Sequence, residues 1–148
     1  MKTILSILTL TVFLSINSFG QTLDSLKLSA KEIPEEYSFS KDNNCISTQA
    51  YTFYDSPEIY ESIIGKIKNK EIQNFESRKD KGSIMYFEFE NGMKNEGFLG
   101  GLLWGGKKPT KQHPEEFYVK GNFLIIWSFN SGSSIKNLSE NKVKALLK

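Results

Sequence analysis

The run Phe123-Leu-Ile-Ile-Trp-Ser-Phe129 is apolar on both of its alternating faces and limits the fold more than any other stretch. Successive side chains of a strand point to opposite sides of the sheet. Leu124 and Ile126 therefore take one side, while Phe123, Ile125, Trp127 and Phe129 take the other. Each aromatic side chain carries roughly 150 to 250 Å² of surface, so an open face of this kind would form a patch of several hundred Å², near the upper limit for a soluble monomer. Three covers fit: the chain's own N-terminal lead-in or its last helix with Leu146 and Leu147, a second copy packed face to face, or an apolar or aromatic ligand or foreign protein.

Sliding the sequence by 39 positions against itself lines up a second instance of the same pattern. Ile59-Tyr60 falls on Phe98-Leu99, Ile63-Ile64 on Leu102-Leu103, and Ile84-Met85-Tyr86-Phe87 on Phe123-Leu124-Ile125-Ile126. Identities at Gln73/Gln112, Glu76/Glu115, Lys81/Lys120, Gly82/Gly121 and Asn91/Asn130 hold the register without a gap. The pattern reads as a duplicated unit of helix, strand, tight turn and strand, with turns at Lys81-Gly82 and Lys120-Gly121-Asn122. Ile84 and Tyr86 then join Phe123, Ile125, Trp127 and Phe129 on one face, and Met85 and Phe87 join Leu124 and Ile126 on the other.

Flanking signals complete the element order. The β-branched and aromatic stretch 46–54 predicts a strand. Ser56-Pro57-Glu58 marks a helix start, and Ile59, Tyr60, Ile63, Ile64 and Ile67 extend one stripe over 57–69. A second helix is expected over about 95–104, ended by Gly105-Gly106. Its glycines 97, 100 and 101 each cost about 1 kcal/mol against alanine, a penalty that a close approach to the sheet would offset. The final helix is read as capped by Ser139, with Leu138 and Val143 as a hydrophobic staple. The expected fold is α+β: an antiparallel sheet with helices mainly on one face, of which a ferredoxin-like arrangement is one form.

The N-terminus carries Lys2, then a largely apolar stretch of 13 residues from Ile4 to Ile16, then Ser18 and Gly20 before Gln21. These are the parts of a cleavable export signal, with cleavage after Gly20. The apolar stretch is too short for a roughly 30 Å hydrocarbon layer, which needs about 20 residues, so no membrane span is expected. The organisation expected is a signal at 1–20, an extended lead-in at 21–45 and one α+β domain at 46–148, in the periplasm or outside the cell.

Charge and composition exclude several classes. Lysine and arginine total 19 against 17 acidic residues, too even a balance for a nucleic-acid partner. One Cys and one His exclude a disulfide scaffold and any multi-histidine metal centre, and no cofactor is expected. Cys45, without an internal partner, reads as a buried small hydrophobe. Gly101 to Lys108 approximates a phosphate-cradling loop, but Lys108 stands where a hydroxyl residue would hold magnesium, and a helical stretch precedes it instead of a strand. Glu88 and Glu90 alternate with Met85, Phe87 and Phe89 and read as a solvated edge. His113 lies beside Glu115 and Glu116, the one grouping that an acid–base hydrolase-like enzyme would use.

Residues Phe75-Glu76-Ser77, Gly82 to Phe89, Gly101 to Gly106, Pro109-Thr110-Lys111 and Ile125-Ile126-Trp127 resemble a group of small exported bacterial proteins. Ser18-Phe19-Gly20-Gln21 is similar to export sites of Bacteroidota. The resemblance implies a compartment and supplies no catalytic residue. Sequence reasoning therefore points to an exported, non-enzymatic binding or interaction module that uses Ile84, Tyr86, Phe123, Ile125, Trp127 and Phe129 against an unknown protein, an apolar ligand or a second copy. The alternative is a small hydrolase-like enzyme with His113 and Glu115 or Glu116 as acid and base.

Overall fold

Strand β5 (Phe123–Phe129) is buried at all seven positions, as its two apolar faces require. It lies inside a five-stranded antiparallel sheet with β1 (Ser38–Phe39), β2 (Ile67–Glu76), β3 (Lys81–Phe89) and β4 (Glu116–Lys120), in the order β1-β2-β3-β5-β4. The structure, a computed structural model, describes residues 20–148. Except for Gly20, the expected export signal lies outside the described residues. Among the described residues no helix is long and apolar enough to cross a membrane.

Helices cover both sides of the sheet. On one side α2 (Thr48–Asp55), a 3₁₀ turn (Pro57–Tyr60), α3 (Glu61–Ile64) and α4 (Glu96–Trp104) enclose Met85, Phe87, Phe89, Leu124 and Ile126. On the other, α1 (Leu23–Leu26) and α5 (Ser134–Leu146) enclose Ile84, Tyr86, Phe123, Ile125, Trp127 and Phe129. The α+β class, the antiparallel sheet and the split of side chains between faces are as expected; α2, α3 and α4 share one face, while the longest helix, α5, lies with α1 on the other. The strand order places β5 between β3 and β4, which α4 joins, a split β-α-β unit. In a ferredoxin-like fold the two helices share one face, whereas α4 and α5 are on opposite faces here.

Local chemistry explains where the elements depart from expectation. Residues 48–55 are helical because Ser47 Oγ accepts the Ala50 N–H at 3.3 Å and because Ala50 and Phe53, three apart, both bury against the sheet. Packing here overrides the β propensity of the stretch. The helix expected over 57–69 stops at Ile64, since Gly65 has φ 100°, a conformation that releases the chain into β2. The first hairpin turns at residues 77–80, and Lys81-Gly82 already belong to β3, whereas the second turns at Gly121-Asn122 as expected.

Helix α5 starts six residues before the expected point, with its cap at Ser133 instead of Ser139. Ser133 Oγ caps it by accepting the Lys136 N–H at 3.2 Å, and Ser139 is fully buried in mid-helix. Ile135, Val143 and Leu147 pack on the sheet, each contributing about 1.5–3 kcal/mol by burial. The α4 glycines do not share one role. A Cβ on Gly100 would meet the Trp104 ring at 3.1 Å, whereas Gly97 and Gly101 face open space.

The stretch 21–45 is part of the core. Leu23, Leu26 and Leu28 lie in the cluster around Trp127, and Gln73 fixes Leu28 by accepting its N–H at 3.0 Å and donating to its carbonyl at 2.8 Å. Lys142 Nζ ties the same stretch to α5 through the Lys27 carbonyl at 2.6 Å and Glu32 at 2.8 Å.

Candidate functional site

The six residues read as a recognition face form the centre of a core. Ile84, Tyr86 and Ile125 have no exposed surface, Trp127 and Phe129 are buried, and Phe123 is 9% exposed at the margin. Tyr86 donates its hydroxyl to Gln73 at 2.9 Å, and Trp127 donates its indole N–H to Ser139 at 3.0 Å. Lead-in and α5 supply both the apolar cover and these polar partners, so the face offers a ligand, a partner or a second copy no surface.

The His113, Glu115 and Glu116 grouping does not converge either. Successive residues at the start of a strand diverge. Glu116 points outward and pairs with Lys136 at 2.7 Å, while Glu115 is fully buried. Glu115 Oε1 accepts from Ser128 Oγ at 2.9 Å, its backbone carbonyl accepts the Trp104 indole N–H at 2.8 Å, and its Oε2 is buried without a partner. His113 closes a turn with Thr110 through two hydrogen bonds near 3 Å, and its Nδ1 is also buried without a partner. Among the described residues no three His, Cys, Asp or Glu side chains gather as a metal site would require.

Glu115 instead ends a polar row that crosses the sheet beneath the 43–46 loop. Asn74 lies opposite Ser83, and Ser83 lies opposite Ser128. Ser83 donates to Asn74 Oδ1 at 2.6 Å, and Ser128 accepts the Ile46 N–H at 2.8 Å. Cys45 packs above this row with its sulfur 3.9 Å from that of Met85. Burial, opposed by hydrogen bonding to Ser83 and Ser128, pushes the Cys45 thiol up to about 11. The thiol is thus neutral near pH 7 and poorly suited to nucleophilic attack. The row clamps two loops to the sheet.

Open, polar concavity lies at the sheet end formed by the 77–80 and 130–133 turns. A groove of about 850 Å³ is bounded by Glu35, Glu36 and Tyr37 of the lead-in, Ser77 to Asp80 of the hairpin, and Asn130 to Ser134. Asp80 organises it: Oδ2 accepts from Tyr37 at 2.7 Å and from Ser133 at 2.6 Å, while Tyr37 and Ser134 hydroxyls lie 3.1 Å apart. Burial, with Asp80 close by, raises the Tyr37 phenol above its usual range, so it stays a neutral donor.

Arg78, the chain's only arginine, lines this groove with Lys79. Neither forms an ion pair among the described residues. A second concavity of about 790 Å³, lined by Thr110, Lys111, Glu116 and Lys136, adjoins the far side of the 130–132 turn. Sequence reasoning missed both. The available signals were two turn-forming runs, Ser77-Arg-Lys-Asp80 and Asn130-Ser-Gly-Ser-Ser134, and the solitary arginine.

No protein-family model, curated protein or solved structure matches the chain.

Proposed function

We propose that this chain is an exported, non-enzymatic binding module whose ligand seat is the groove between the 77–80 and 130–134 turns. The observation that carries the reading is an open groove of about 850 Å³, lined by an arginine that has no ion-pair partner among the described residues and by hydroxyls held in place through Asp80. Its size falls within the roughly 300–1,000 Å³ of small-molecule sites. Arg78 suits a carboxylate or phosphate, since its planar fork can donate two parallel hydrogen bonds. Glu35 and Glu36 on the lead-in wall favour hydroxyl or amine donors on the same ligand. The class that answers both walls is a small polar acid bearing donor groups.

Backbone amide shifts recorded by NMR on adding glutamate, glucuronate or inorganic phosphate test this. Shifts confined to 77–80 and 130–134, and lost in Arg78→Ala, are expected for at least one probe. Shifts absent for all three, or unchanged in Arg78→Ala, would overturn the assignment.

A further inference from the structure

The two edges of the sheet differ in how they are closed. The β2 edge is partly covered by β1 at Phe75 and Glu76, is bulged between Ile67 and Asn69, and has Lys70 Nζ folded onto the Tyr54 and Asp55 carbonyls. Each device discourages strand addition. Strand β4 has none of them. Its five residues pair with β5 on one side only, and no backbone hydrogen bond reaches its outer side among the described residues.

The β4 sequence, Glu116-Phe-Tyr-Val-Lys120, complements itself in one register. Antiparallel pairing of two copies about a two-fold axis at Tyr118 sets Glu116 of each opposite Lys120 of the other. Phe117 then faces Val119, and Tyr118 faces itself. Opposite charges, an apolar pair and an aromatic pair are the cross-strand combinations that stabilise antiparallel sheets. A two-fold axis makes each of the outer two contacts twice.

The groups involved are available. Phe117, Tyr118 and Val119 are half-buried, while Glu116 and Lys120 are exposed. Glu116 engages Lys136 through Oε2 alone, leaving Oε1 unengaged among the described residues, and Lys120 has no ion-pair partner there. Lys144, over the Tyr118 ring near the axis, is already paired with Glu140 at 2.5 Å, which limits repulsion between copies.

We infer that the outer edge of β4 docks a second copy of this chain, giving a continuous ten-stranded sheet across a two-fold axis. The buried core face takes no part in it. A dimer built on so short an edge is small and reversible, and it weakens with salt.

Sedimentation equilibrium over roughly 10 µM to 1 mM reads the association. Wild type should be concentration-dependent, and Lys120→Glu or Glu116→Lys alone should weaken it about ten-fold or more, since each turns both cross-axis pairs into like charges. An equimolar mixture of the two variants restores opposite charge at both contacts and should associate like wild type. Lys120→Glu leaves the Glu116–Lys136 pair in place, and circular dichroism checks that both variants fold. A wild-type monomer throughout, single variants that associate unchanged, or a mixture that stays monomeric would each overturn the inference.

Discussion

Trp127 and Ser139 meet across the seam between β5 and α5, where the indole N–H donates to the serine hydroxyl at 3.0 Å with both residues buried. This bond occupies the polar edge of the side chain that most invited a recognition role. Ser139→Ala leaves the indole donor buried and unsatisfied, a loss of about 1–3 kcal/mol. Urea unfolding followed by tryptophan fluorescence should show the reduced midpoint with native emission still blue-shifted. Trp127→Asp, by contrast, places a carboxylate in the core and should yield no folded protein.

Two glycine substitutions should move stability in opposite directions. A Cβ on Gly82 would lie 2.3 Å from the Phe129 ring and 2.4 Å from the Ser128 carbonyl oxygen, so the β3–β5 pairing would have to shift. Gly82→Ala should cost about 1–3 kcal/mol or more. A Cβ on Gly101, at an exposed position of α4, meets nothing within 4 Å, and Gly101→Ala should add about 0.5–1 kcal/mol through helix propensity. Thermal unfolding of the two variants beside wild type checks both signs.

The lead-in's hold on α5 should depend on acid. Hydrogen bonds from Lys142, first, and then from the Ser29 backbone and hydroxyl pull the Glu32 carboxyl down to about 2 from an ordinary 4.5. A folded value below the unfolded one means that this stabilisation is complete above 4.5 and is lost as pH falls toward 2. The Glu32 side chain is 38% exposed, so solvent screening limits the effect to about 0.2–1 kcal/mol. Urea midpoints should separate wild type from Glu32→Gln at about pH 6 and bring them together at about pH 2.

Cys45 should resist thiol reagents. With its thiol moved from 9.0 to about 11, the folded protein holds about 100-fold less thiolate than the unfolded chain at pH 8. Labelling by a disulfide reagent should be slower by at least that factor in buffer than in urea. The same shift makes the neutral thiol's contribution complete below 9.0 and lost as pH rises toward 11, so alkaline unfolding should ease over that range.

Side-chain alternation in 84–87 and 123–129 was enough to assign each residue to its face of the sheet, because a strand's period of two is local and unambiguous. The second helix was legible from its Gly105-Gly106 stop and the last turn from Gly121-Asn122, while the need for a cover over Trp127 followed from the same alternation. The strand expected between the 57–69 helix and the Lys81-Gly82 turn starts earlier, at Ile67, and its bounds were hard to read because Lys68, Asn69, Lys70, Glu71 and Gln73 serve an outer strand with little apolar periodicity. Residues 46–54 read as a strand from their β-branched and aromatic content, but that propensity is weak beside the burial of Ala50 and Phe53, which makes 48–55 a helix.

Which cover seals the aromatic face was decided only by tertiary structure. Leu23, Leu26 and Leu28 are far from Trp127 along the chain and reach it because Gln73 and Lys142 fix the lead-in there. The groove was equally invisible, since Tyr37, Asp80 and Ser133 come from three separate segments and meet at one carboxylate oxygen. Periodicity is written residue by residue, so the sequence alone determined which side chains must be hidden. Closure of distant segments depends on their combined burial and hydrogen bonding, so only the folded chain determined what hides them and which surface stays open.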